Sequence, residues 1–282
     1  MRIEISEEIG TTKVGAKSNL LAEFAAYAGL LIAGAAISIG MYQNWDELTK
    51  NQRTATFSLL GIALFVSGLI ASDTLEARRR FSSFLYIVAG LSSGIAVFVT
   101  FTEDVAAVQA FALATVVTLL GYTVSPTMLG HIGLYIATSG TLISLGLTLV
   151  ESENLQLYTQ LSLVIAFAVG WLILSSMRAV HAELGFALGG VTIFASSQYA
   201  LFLGYQNLSY AIALTMVALF AWLYYVLHSW VLAVIALLAL AVAISEWVIA
   251  AMDSSIAALV GMFLAGSLLA LVSASAISSA RD

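Results

Sequence analysis

Apolar residues fill this chain in roughly ten blocks, and nearly every charge falls in the short gaps between them. Residues 105–120, 184–205 and 229–245 contain no charged side chain at all. Hydrocarbon about 30 Å thick needs about 20 apolar residues at 1.5 Å rise per residue. The pattern predicts an all-α protein, a polytopic transmembrane helix bundle of about ten spans. These are 20–42, 54–71, 81–101, 105–122, 129–150, 157–177, 184–205, 208–227, 229–251 and 254–276. The tightest turns fall near Gln206-Asn207 and at His228. The expected organisation is a short N-terminal segment 1–19, a single bundle 20–276 and a tail 277–282. A split near Glu151 would give two halves of five spans, 20–150 and 157–276.

Composition sharpens this picture. Hydrophobic residues make up 61% of the 282 residues and charged residues 9%, against about 25% charge in soluble domains. The spans use almost the whole chain, and segment 1–19 is too short to bury a core of its own. No cysteine is present, which excludes disulfides, thiolate catalysis and Cys-ligated metals. The net charge of −6 comes with no basic patch, so a nucleic-acid partner is not expected. The expected partners are the lipid bilayer and, beyond it, other membrane subunits or further copies of the chain. The segment before the first run mixes Glu4, Glu7 and Glu8 with Arg2, Lys13 and Lys17. It is too long and too acidic for a signal-peptide n-region, so the first run reads as an uncleaved span.

Basic residues set orientation, because they are retained on the cytoplasmic side. With ten spans, one side holds Arg2, Lys13, Lys17, Arg78, Arg79, Arg80, Arg178 and Arg281, and the other only Lys50 and Arg53. This distribution predicts an N-in/C-in protein of the cell membrane, the inner membrane of a bacterium. The Arg78-Arg79-Arg80 triplet is the strongest anchor, and anionic lipid is its expected contact. The outer face carries Asp46, Glu47, Glu103, Asp104, Glu151, Glu153 and Asp253. Such a face raises the local concentration of cations, although loop solvation alone explains it.

Helices in lipid associate where small residues let backbones approach. Such rows are Ala25, Gly29 and Ala33; Gly90 and Gly94; Gly185 and Gly189; and Gly261 and Ala265. The single proline, Pro126, falls in the gap 123–127, where it removes no helical hydrogen bond.

Ionisable groups inside the bilayer are expensive to keep and are therefore functional candidates. Glu246 qualifies. It stands seven residues before Asp253, about 10 Å below the expected outer boundary. Its helical face holds Ala236, Ala239, Ala243 and Ala250, which points it into the bundle. Gln198 lies at a comparable depth on the seventh span, beside Ser196, Ser197 and Tyr199. Glu246, Gln198 and Tyr199 form the candidate ligand- or ion-binding set, able to hold a proton or a cation. The competing reading is a carboxyl that reaches the outer interface beside Trp247. His131, His181 and His228 each fall at a cytoplasmic span end, which suits interfacial histidines better than a metal centre. No nucleophile elbow, phosphate-binding glycine loop or metalloprotease motif occurs. Neither enzymatic activity nor a cofactor or metal is expected.

The first loop reads Gln43-Asn44-Trp45-Asp46-Glu47-Leu48, followed by Gln52-Arg53 and the next apolar run. It resembles a bacterial family of predicted multi-pass membrane proteins known only as a domain of unknown function, over roughly 20–150. Those proteins carry an Asn-Trp-Asp loop after the first span and an Arg opening the second. The resemblance implies no catalytic or binding residue. Physically, Trp45 would anchor the helix end at the interface and Asp46 would cap the following turn. In architecture alone, ten spans with both termini inside is similar to the drug/metabolite transporter superfamily, whose two five-helix halves are oppositely oriented. Two functional readings follow: a small transporter-like protein using Glu246, or a non-transporting accessory subunit or assembly factor that acts through packed faces.

Overall fold

The computed structural model describes residues 42–252 except 73–74, 102–104 and 179, together with scattered positions of the first and last apolar runs. Within residues 42–252, eight helices are described: α1 (Lys50–Ala71), α2 (Glu76–Thr100), α3 (Ala106–Val124), α4 (Met128–Thr148), α5 (Glu153–Ser176), α6 (Ala182–Phe202), α7 (Gln206–Leu227) and α8 (Trp230–Met252). No strand occurs among the described residues. In hydrocarbon this is forced, since a helix satisfies its own backbone groups and an open strand does not.

Each helix coincides with one of the expected apolar runs, with ends shifted by a few residues. Seven of them, α1 to α7, are long and apolar enough to cross a membrane, so the chain is a multi-pass membrane protein by length and composition. That number is lower than the ten expected. The apolar stretch described in α8 is shorter, Trp230–Ile244. The runs at 20–42 and 254–276 lie largely outside the described residues, as do Glu103, Asp104, Asp253 and the small-residue row at Gly261 and Ala265.

The helices group into two compact units, Met1–Leu149 and Val150–Asp282. In the first, α2 is central and packs against α1, α3 and α4. Its Gly90 and Gly94 meet an alanine row on α3. A methyl added at Gly90 would come 2.9 Å from the Ala114 carbonyl oxygen, and one at Gly94 2.8 Å from that of Ala110. Tyr86 is fully buried, its ring held between Gly68 of α1 and Gly121 of α3. Hydroxyls tie the same helices together. Ser82 donates to the Gly68 carbonyl at 2.7 Å, and Ser83 to that of Ser125 at 3.0 Å. The Thr115 and Thr141 hydroxyls meet at 3.0 Å between α3 and α4. Tyr27 of the first apolar run packs edge-on against Phe81 and Phe84 of α2.

In the second unit α6 is central and packs against α5, α7 and α8. Gly185 and Gly189 lie against Trp171, Leu172 and Ser175 of α5. A continuous apolar core joins Leu172, Phe186, Ile193, Met216, Phe220, Leu232, Ile235 and Ala239.

The connections explain where the helices start and stop. Thr49, not Asp46, caps α1: its hydroxyl accepts from the Gln52 backbone N–H, and the Gln52 side chain accepts from the Thr49 N–H. This reciprocal pair is the capping box. Asp46 loses to it because Thr49 directly precedes the helix. The Arg53 guanidinium stacks on Trp45, 4.2 Å from the ring centroid, and donates to the Trp45 carbonyl. Pro126 sits between α3 and α4, where Thr127 caps α4. Gly204 (φ 86°) turns the chain from α6 to α7, and His228 (φ 54°) closes α7 in the same left-handed region.

Candidate functional site

The second unit gathers polar side chains at one end, as the helix register shows. A methyl at Gly190 of α6 would stand 2.6 Å from Ile235 of α8 and 3.0 Å from Phe220 of α7. These three residues therefore share a level. The short turns make α7 antiparallel to α6, and α8 parallel to it. On α7 the buried stripe is Ser209, Ala213, Met216 and Phe220. On α8 it runs through Leu232, Ile235, Ala236 and Ala239, and helical spacing continues it to Ala243 and Glu246, both half-buried. Ser209 precedes Phe220 by as many residues as Glu246 follows Ile235. Both lie about 16 Å from the Gly190 level, toward the same end. The buried residues of α6 nearest that level are Ser197 and Ala200. Ala200 packs with Leu157 and Leu161 of α5, which brings Gln160 to the same end.

Within this layer the Glu246 Oε2 atom is buried without a hydrogen-bond partner, and so is the Ser209 Oγ. Ser209 is wholly inaccessible. Ser196 donates to the Thr192 carbonyl at 2.8 Å and Ser197 to that of Phe194 at 2.7 Å. Both serine oxygens keep lone pairs free to accept. Gln160 is buried, at 8% exposure. The layer thus holds one carboxylate and several neutral oxygens, and no other acid or base from the described stripes reaches it.

The expected partners of Glu246 fare differently. Gln198 is half-buried, and its amide points along its own helix to the Ser197 hydroxyl at 3.5 Å. Among the described residues no hydrogen bond joins it to Glu246. Tyr199 is 47% exposed and faces away from the packed side of α6. The fully or nearly buried polar side chains at the level of Glu246 are Ser197, Ser209 and Gln160. Ser209 was legible from the spacing of Ser209, Ala213, Met216 and Phe220, which marks one helical stripe. Gln160 carried no comparable signal.

The histidines separate. His131 is buried at the start of α4, edge-on to Tyr122. It is a core residue rather than an interfacial one, because Gly130 and Gly133 let α4 approach α2 closely there. His181 is exposed before α6, and His228 ends α7. No group of three His, Cys, Asp or Glu residues converges among the described residues.

The first unit holds a cleft of about 340 Å³ between α1, α2 and α3, lined by the hydroxyls of Thr54, Ser58, Ser93 and Thr100. Thr54 and Thr100 bond each other across it at 3.0 Å. Among the described residues no charged group lines it.

No protein-family model, curated protein or solved structure matches this chain. Its chemistry is read from the residues themselves.

Proposed function

We propose that this membrane protein moves a small solute or ion, with Glu246 as its proton- or cation-binding carboxylate. The observation that supports the reading is the buried Glu246 Oε2 atom without a hydrogen-bond partner. An ionised carboxylate in apolar surroundings is strongly disfavoured unless something neutralises it. A site that alternately takes up and releases a neutralising ion is what ion-coupled transport uses. The carboxyl is half-buried, so an ion can reach it.

The same reading takes the chain as ten spans in the cell membrane, both termini cytoplasmic, by the basic-residue distribution. The Asn-Trp-Asp loop resemblance and the transporter-like architecture belong to this proposal as well, and enzymatic activity does not. A non-transporting accessory role is the second reading. The observation that favours it is α1, whose apolar window is the least buried of the seven spans. It leaves Leu59, Ile62 and Ile70 exposed on a face that another membrane subunit or a second copy of the chain could cover.

The decisive measurement uses proteoliposomes on a solid-supported membrane, with currents recorded after concentration jumps of a panel of amino acids, sugars, organic cations and alkali cations. The native protein should give a current for at least one solute, and Glu246→Gln should insert normally and abolish it. An unchanged current in the variant removes Glu246 from the mechanism. Orientation is open to cysteine labelling, since the chain has no cysteine of its own. A Glu103→Cys variant should react with an impermeant maleimide from outside the cell, and reaction only from the cytoplasmic side reverses the topology.

A further inference from the structure

We infer that the polar layer of the second unit binds a dehydrated monovalent alkali cation, with Glu246 and Ser209 supplying ligand oxygens from α8 and α7. The inference rests on the reading of Glu246 as an ion site and narrows it from a proton or any cation to one class.

Three observations lead there. First, two buried oxygens lack partners, the Glu246 Oε2 and the Ser209 Oγ. They lie on different helices that the register around Gly190 brings to one level. A protonated carboxyl needs only one acceptor, and a serine hydroxyl at its level would serve. The two groups do not hydrogen-bond each other. A cation held between them would satisfy both. Second, the available donors are all oxygens, which suits hard cations. The Ser196 and Ser197 hydroxyls already donate to their own helix. Their remaining lone pairs can only accept a hydrogen bond or ligate a cation. Third, charge selects valence. Glu246 is the only acid the layer receives from the described stripes of α6, α7 and α8. One negative charge balances a monovalent ion. A divalent ion would leave a net positive charge in a low-dielectric setting, where unpaired charge is heavily penalised.

Ser209 is a ligand in this scheme. The half-exposure of Glu246 gives the ion an entry from the near end of the layer.

The test uses the full chain in detergent. Thermal unfolding is recorded at constant ionic strength in chloride salts of lithium, sodium, potassium or N-methylglucamine, with equilibrium binding of radioactive sodium measured in parallel. At least one alkali cation should raise the unfolding temperature saturably over N-methylglucamine. Glu246→Gln should abolish the rise. Ser209→Ala should raise the half-saturating concentration by about tenfold or more, at least the loss seen when groups supporting a metal ligand are removed, and Ser209→Thr should restore it. Absence of any alkali-specific rise in the native protein overturns the inference, as does an unchanged response in Ser209→Ala. The fate of the wider reading stays separate. If no alkali effect appears but Glu246→Gln still abolishes solute currents, the cation assignment fails and proton-linked transport stands. If the currents survive Glu246→Gln, the functional reading itself fails.

Discussion

Gly90 and Gly94 of α2 face backbone, the carbonyls of Ala114 and Ala110, whereas Gly190 of α6 faces the tips of Ile235 and Phe220. The difference is one of emphasis, since Gly189 of α6 also nears the Ala168 carbonyl and Gly133 and Gly140 of α4 face side chains. Lipid is as apolar as leucine, so helices gain little from simple apolar burial against each other and must gain from contact quality. The first unit brings backbones together over Ala106, Ala110, Ala114 and Thr118 and adds hydroxyl bonds between helices. The second fills its centre with Met216, Phe220, Leu232 and Ile235 and gathers its polar groups at one end. The cleft of the first unit is lined by neutral hydroxyls, with no charged group among the described residues. A side-chain-filled unit can leave a polar end open, and Glu246 is found there.

The sharpest way to break this comparison is to remove the fully buried aromatic ring of the second unit. Phe220→Ala should destabilise the protein by about 3–5 kcal/mol, as buried aromatic truncations do, measured by denaturant unfolding in detergent. A loss under 1 kcal/mol would mean that side-chain packing does not hold the second unit. Next come paired glycine substitutions. Gly90→Ala drives a methyl against the Ala114 carbonyl and should cost about 1–3 kcal/mol through overpacking. Gly190→Ala meets only side-chain ends and should cost clearly less. Equal losses would erase the distinction between the units. A smaller effect of opposite sign is expected at the end of α7. His228 holds φ 54°, and Gly in its place relieves about 1 kcal/mol of left-handed strain, read as a higher unfolding temperature. Smallest of all, Thr141→Val removes the hydroxyl pair with Thr115 and should cost about 0.6 kcal/mol, the mean for such bonds between membrane helices.

Helix positions were legible in the sequence because hydrocarbon imposes length and apolarity on every span, and the eight described helices lie on expected runs. Ala236, Ala239 and Ala243 at helical spacing place Glu246 on a small-residue face, and the structure buries Ala236 and Ala239. Gln198 stands at a comparable depth, but its amide is directed to Ser197 rather than to Glu246. Depth along a helix follows from counting residues, but the packed side of α6 passes through Ile193, Ser197 and Ala200 and leaves Gln198 at its edge. The capping role given to Asp46 failed because two acceptors compete near α1 and adjacency to the helix decides. Ser82 and Ser83 gave no warning of their burial, since a serine reads alike in a loop and in a membrane core.

The left-handed turns at Gly204 and His228 have a consequence for how the chain assembles. They leave three residues between α6 and α7 and two between α7 and α8. Among the described helices of the second unit, the main packed pairs join chain neighbours or next neighbours. Closing such short loops costs little entropy, and contacts of low sequence separation form quickly. Each helix of α6, α7 and α8 can therefore dock on its predecessor as it is synthesised. The level shared by Ser209 and Glu246 is complete once the last of them has entered the bilayer.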